Sequence, residues 1–248
     1  MFFAKQGEYE PCGIFTLQHF ILVVITFVGV IIALKNTVNK KDVHKIIKNC
    51  TIVIWILEII KITFNIIRNG TSNLNDYVPL YYCSLLLYAG LLSSYGKGTI
   101  KRVGDVFLAT GAIAGGLIFI LFPTTSLPWY PMLHLISIHS FLYHGIMVYL
   151  AVLVNLTKYI ELEKKDIIYY SSLVGIICVI AYAVNNIYGS NLMFISENFP
   201  GTFIEGIYNA TGNLFSIVMI SAQMFLPFYF MYGTIGLIKK MHKSQIEQ

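Results

Sequence analysis

The chain has 248 residues, of which 56% are hydrophobic and 12% charged, with a net charge of +5. Soluble domains carry about 25% charged residues, so this composition excludes a cytosolic enzyme, a nucleic-acid-binding domain and a disordered chain. A mean hydropathy of +0.70 places most of the chain inside a bilayer.

A helix that crosses the hydrocarbon core needs about 20 apolar residues. In chain order, seven runs approach this length: 14–34, 48–67, 78–95, 103–122, 131–155, 168–188 and 211–238. The third is short, and the fourth and seventh carry glycines. The expected fold is all-α: a polytopic, seven-transmembrane-helix bundle forming one transmembrane domain over 1–248. The leading segment Met1–Gly13 has one Lys against two Glu and no basic stretch, unlike a cleaved signal peptide.

Loop charges give an orientation. Lys35, Lys40, Lys41, Lys45 and Lys48, then Lys97, Lys101 and Arg102, then Lys158, Lys164 and Lys165, then Lys239, Lys240 and Lys243 fall in alternate connections. They make up 14 of the 17 basic residues. The opposite connections hold only Lys5 and Arg68. The positive-inside rule makes the first set cytoplasmic. The N-terminus is then outside and the C-terminus cytoplasmic, which requires an odd number of spans. Residues 189–210 form the longest external connection, with the composition of a lid or re-entrant turn. Thr157–Asp166 is a mixed-charge cytoplasmic linker. No internal repeat is visible.

Ionisable groups inside a membrane are costly and face a cavity or one another. In the second run, Glu58, Lys61 and Asn65 follow i, i+3, i+7 and share one helix face. The outer half of the first run carries His19. The third begins with Tyr81, Tyr82, Cys83 and Ser84, and the fifth carries His134, His139 and, near its middle, His144. The sixth ends with Asn185 and Asn186, and the seventh begins with Asn209, Asn213 and Ser216. The inner halves are Ile, Val, Leu and Phe, with Asp105 and Cys50 near the cytoplasmic ends. The pattern predicts a polar pocket open to the outer leaflet above an apolar floor. The competing reading is interhelical hydrogen bonding, worth about 0.6 kcal/mol per contact, which accounts for the Ser, Thr and some Asn residues better than for Glu58, Lys61 and the histidines.

Four cysteines (Cys12, Cys50, Cys83, Cys178) lie far apart with no C-x-x-C pair. Cys83 is the candidate nucleophile, about 8 Å below the interface, with His134 and His139 at about 5 and 12 Å on the same scale. Its alternative role is a small buried hydrophobe. Spacings of five turn His134, His139 and His144 about 140° apart, so they do not form the i, i+4 pair of a helical zinc site. No metal is expected. His139, flanked by Ser137 and Ser140, is the first choice for a base, and His134 the second. Glu58 and Lys61 either neutralise each other or orient a histidine or hold a phosphate.

Gly111-x-x-x-Gly115 and Ala112-x-x-x-Gly116 permit close helix approach, most simply within the bundle. No Gly-x-Ser-x-Gly elbow, H-E-x-x-H helix or Walker-type loop occurs, and the seventh run has no Lys before Lys239, as a rhodopsin would need. No cofactor motif is present.

Val78-Pro79-Leu80-Tyr81-Tyr82-Cys83 resembles the Leu-Pro-Leu-His-x-Cys segment of the bacterial YwaF-like integral membrane proteins, which group with eukaryotic transmembrane protein 164. The similarity continues at His19, at His139-Ser140 with His144, and in Asn185-x-x-x-Gly189-x-Asn191. Tyr81 stands where the family often has His, and Leu192 where it often has Tyr. The eukaryotic branch is associated with phospholipid acyl transfer through a cysteine acyl-enzyme, so the resemblance implies that role for Cys83 with a histidine as base.

The expectation is a membrane acyltransferase or acyl hydrolase acting on a lipid at the outer leaflet. Cys83 is the nucleophile, and Asn185, Asn213 and Ser84 are candidates to stabilise an oxyanion. His19, Glu58, Lys61, Tyr81, His144 and Asn191 join them as candidate substrate-binding residues. The alternative is a non-enzymatic transporter or small-molecule binder using the same pocket, and a third reading is a scaffold subunit. The expected partners are membrane lipids, one of them a substrate, with no nucleic acid; the expected location is the cell membrane, bacterial by resemblance. The oligomeric state is left open.

Overall fold

The computed structural model describes residues 1–246; the side chains of Lys239 and of residues 242–246, Lys243 among them, fall outside the described residues. Among the described residues the chain is all-helical. It forms α1 (Leu17–Thr37), α2 (Val43–Asn69), α3 (Leu85–Tyr95), α4 (Gly98–Ala109), α5 (Gly111–Leu121), α6 (Leu135–Leu156), α7 (Ile167–Tyr188), α8 (Phe203–Thr211) and α9 (Phe215–Ile246). Six helical stretches among the described residues are long and apolar enough to cross a membrane: Leu17–Thr37, Val43–Asn69, Gly98–Leu121, Leu135–Leu156, Lys164–Tyr188 and Phe203–Ile238. The protein is a multi-pass membrane protein.

The expected third span is where sequence and structure part. Only Leu85–Tyr95 is helical there, and 11 residues cover about 16 Å. Residues 78–84 descend without regular structure. Pro79 has no amide hydrogen to give a helix, and the Tyr82 hydroxyl is drawn to Tyr170, outside the segment. The whole stretch nevertheless runs antiparallel to α2. The Thr51 hydroxyl is 3.1 Å from that of Ser94, Trp55 donates from Nε1 to the Leu87 carbonyl at 3.2 Å, and Asn65 donates from Nδ2 to the Asp76 carbonyl at 2.5 Å. Non-helical backbone at membrane depth is tolerated where protein surrounds it.

The helix ends follow local chemistry. The Thr16 hydroxyl caps α1 at the His19 amide, and Asp42 caps α2 at the Lys45 amide. α4 and α5 form one crossing broken at Thr110, whose hydroxyl donates to the Val106 carbonyl at 2.6 Å instead of continuing the helix. α7 stops at Gly189, which adopts φ 62° as a left-handed C-cap.

α6 is the central pillar. In its apolar window 72% of residues are buried, against 17% in α1, and it packs on α1, α2, α4 and α5. The small residues of α4 and α5 serve this internal packing. A Cβ on Gly116 would lie 2.6 Å from Val148 of α6, and one on Gly104 would run into the backbone of α3. α7 and α9 pair on the far side, and the outward faces of α1, α2, α7 and α9 are Ile, Val, Leu and Phe, suited to lipid.

Candidate functional site

The polar face of α2 turns inward. Glu58 is 2% exposed, and its Oε1 lies 2.6 Å from the Lys61 ammonium. One turn outward, Asn65 is buried and holds the Asp76 carbonyl, which fixes where the 70–84 segment re-enters the bundle. The i, i+3, i+7 spacing therefore gives an ion pair and an anchor on one face.

The re-entering segment is clamped from three helices. Tyr88 of α3 donates to the Pro79 carbonyl at 3.0 Å. The Tyr82 hydroxyl is 2.6 Å from that of Tyr170 on α7. Tyr143 of α6 donates to the Cys83 carbonyl at 3.2 Å. The same carbonyl accepts from the Leu86 amide at 3.1 Å, within a run of i→i+3 bonds that starts at the Tyr81 carbonyl and leads into α3. Cys83, half-buried and in no disulfide, is the residue before the Ser84 N-cap, at the positive end of the α3 dipole. Lys61 and Glu58 are the charged side chains within electrostatic reach of it.

The histidines divide into two kinds. His19 is locked at both ring nitrogens: Nδ1 accepts from the Phe15 amide at 3.1 Å, and Nε2 is 3.0 Å from the Ile120 carbonyl, which fixes the Nε2–H tautomer. His134 is locked in the same way, with Nδ1 accepting from the Ile136 amide at 3.1 Å and Nε2 3.1 Å from the Ala4 carbonyl. Both serve as backbone staples. His139 differs. It is 6% exposed, and neither ring nitrogen makes a hydrogen bond within 3.5 Å, although backbone at Leu57 of α2 lies close to the ring. His144 places Nδ1 2.7 Å from the Ser140 carbonyl, so Nδ1 carries the hydrogen and the buried Nε2 keeps a bare lone pair without a partner. Its ring lies flat on Phe119, with centroids 3.7 Å apart. Tyr143 links the histidines to the thiol segment: its ring stacks on His139 at 5.8 Å while its hydroxyl holds Cys83.

The structure thus gathers Cys83, His139, His144, Glu58 and Lys61 around Tyr143. It does not gather the rest of the expected set. Tyr81 packs on Phe194, with ring centroids 5.2 Å apart. Ser84 is buried beside Cys83 without a capping bond. Asn185 donates to the Leu192 carbonyl and the Ser196 hydroxyl and accepts from the Ser190 hydroxyl and the Leu192 amide, so all its capacity is used. Asn191 accepts from the Ser196 and Glu197 amides and donates to the Glu197 carbonyl. These two residues shape the 189–197 turn, in which Met193 and Phe194 are held at φ 60° and 53°. Asn213 is exposed at the α8–α9 junction. Tyr88, Phe119 and Tyr143 are the residues that sequence reasoning missed. Tyr143 was reachable, since it stands four residues after His139 on the same helix face. No group of three or more His, Cys, Asp or Glu side chains able to hold a metal ion occurs among the described residues.

The model of the TMEM164 family matches residues 14–233. No curated protein and no solved structure matches the chain. The family match runs from the turn before α1 into α9 and takes in every residue of the Cys83 cluster. The chain belongs to the TMEM164 family.

Proposed function

We propose that the protein is a lipid acyltransferase or acyl hydrolase, with Cys83 as nucleophile and His139 as base. One observation carries the reading: imidazole nitrogens left without a hydrogen bond inside a membrane protein, on the helix whose Tyr143 holds the Cys83 carbonyl. Buried polar atoms are normally satisfied, and those that are not mark unfinished chemistry. The family resemblance supports the same chemistry.

The proton of the Cys83 thiol passes to His139, and the sulfur attacks an ester carbonyl of a membrane lipid. The carbon–oxygen bond breaks, the lysolipid oxygen takes the proton back from His139, and a thioester remains on Cys83. An acceptor hydroxyl, or water, then gives its proton to His139 and attacks the thioester, which releases the thiol. Lys61 is the cation placed to oppose the negative charge that develops on the carbonyl oxygen. Its partner Glu58 keeps it from being an uncompensated buried charge. The positive-inside rule applied to the lysine-rich connections supports an outer-half position for this cluster, with the N-terminus outside and the C-terminus cytoplasmic. Ester groups of a lipid lie at this level.

The test is turnover of acyl-labelled phospholipid by purified protein in a bilayer. Wild type is expected to release or transfer label, and Cys83→Ala and His139→Phe to lose it. Equal turnover by wild type and Cys83→Ala, or none by wild type across the common phospholipid classes, overturns the reading. Binding without turnover that fails in Lys61→Met and survives in Cys83→Ala would instead establish the small-molecule binder.

A further inference from the structure

Beside the end of α2 that carries Asn69 lies a second feature, an open cleft of about 480 Å³. Small-molecule clefts span about 300–1,000 Å³. Three separate segments supply its walls: Lys5 and Tyr9 from the N-terminal stretch, Asn69 and Asp76 from the exit of α2, and Trp129 from the α5–α6 link. The N-terminal stretch is held as a wall by its backbone. The Cys12 amide donates to the Tyr130 carbonyl at 3.0 Å, the Gly13 amide to the Leu127 carbonyl at 2.8 Å, and the His134 ring to the Ala4 carbonyl at 3.1 Å. Asn69 donates to the Tyr130 hydroxyl at 3.0 Å and accepts from the Gln6 amide at 3.5 Å, joining the three segments.

The lining has a definite chemistry. It contains one cation, Lys5, and one carboxylate, Asp76. The Lys5 ammonium makes no ion pair among the described residues. Tyr9 and Trp129 are 50% and 51% exposed, so aromatic surface faces the opening. Aromatic faces with a carboxylate attract an organic ammonium group, and a lysine attracts a phosphate as a point charge. Burial pushes the Asp76 carboxyl up from its ordinary range, against the Asn73 side chain and the Lys61 charge, so a bound cation would relieve a desolvated acid.

We propose that this cavity is a binding site for a phosphate-bearing zwitterion, with the ammonium against Asp76, Tyr9 and Trp129 and the phosphate at Lys5. The ligand is the head of a phospholipid or a free phosphorylated amine of the same chemistry. Only the lipid-borne source rests on the acyl-transfer reading; binding itself requires nothing of Cys83.

The chain has two tryptophans, Trp55 and Trp129. In a Trp55→Phe background Trp129 reports on the cavity alone. Glycerophosphocholine titrated into the detergent-solubilised full chain is expected to give a saturable change in Trp129 fluorescence. Asp76→Asn and Lys5→Gln should each weaken it about tenfold, and choline or glycerol 3-phosphate alone should bind about tenfold more weakly. Cys83→Ala should leave the curve unchanged, which separates a failure here from a failure of the acyl-transfer reading. In nanodiscs, competition by phosphatidylcholine but not phosphatidylglycerol identifies the lipid head as the ligand, and no competition by either identifies the free solute. No saturable change, or one that persists in both Asp76→Asn and Lys5→Gln, overturns the proposal. Lys5 is exposed, so the second variant tests the idea even if the first fails to fold.

Discussion

At one end of α4, Arg102 grips Asp166 with two hydrogen bonds of 3.0 and 2.5 Å, and Asp166 also accepts from the Glu163 amide at 2.8 Å. Beside it, Asp105 accepts from the Ser93 hydroxyl at 2.6 Å and from Lys101 at 2.5 Å. Each carboxylate oxygen of this network is occupied. Around Tyr143, in contrast, both nitrogens of His139 and one of His144 are buried without partners. Both regions hold ionisable groups within a bundle of apolar helices, so burial of charge does not distinguish them. Satisfaction does. A completed network rigidifies the junction of α4 with the α6–α7 linker, whereas an incomplete one keeps lone pairs available at a cost in stability.

That contrast is open to attack by mutation. The largest effect should come from the completed network. Asp166→Ala leaves the partly exposed Arg102 guanidinium with the Glu161 carbonyl alone and should cost about 3 kcal/mol, read as a fall in thermal unfolding temperature in detergent. A change below about 1 kcal/mol would show that the clamp carries little. Next, Gly104→Ala drives a Cβ into the α3 backbone and should cost about 1–3 kcal/mol, seen in the same unfolding assay as loss of the α3–α4 junction. Among the histidines, His134→Ala removes two backbone contacts and should cost about 1–3 kcal/mol. His139→Phe should leave unfolding unchanged within about 0.5 kcal/mol, because an unsatisfied group is replaced by an apolar one. If His134→Ala proves silent and His139→Phe destabilises, the division between staples and free bases collapses.

Much of the fold was legible in the residues, and the failures have causes. Apolar runs found the long helices because the bilayer makes composition a direct signal of position. The third run misled because its composition is apolar while its backbone is governed by Pro79 and by the hydroxyls of Tyr82, Tyr88 and Tyr143, which find partners across helices. The Gly and Ala spacings of α5 were readable as contact points, since only small residues permit α6 to approach so closely. Within the site, the ion pair of Glu58 with Lys61 followed from helical spacing. The state of each histidine did not, because His19 and His134 are satisfied by backbone from residues about a hundred or more positions away. The asparagines of the 185–191 motif look like ligands in sequence and are turn builders in space, for the same reason. What a polar side chain has left to give depends on long-range partners that periodicity cannot supply.

The proposed mechanism requires that Cys83 carry an acyl group during turnover. Intact-protein mass spectrometry after brief incubation with phospholipid of known chains tests it most directly. A mass increase equal to one fatty acid minus one water is expected, located on Cys83 by peptide mapping, absent in Cys83→Ala and reversed by hydroxylamine. No adduct under conditions where lipid is turned over, or an adduct that persists in Cys83→Ala, would contradict it.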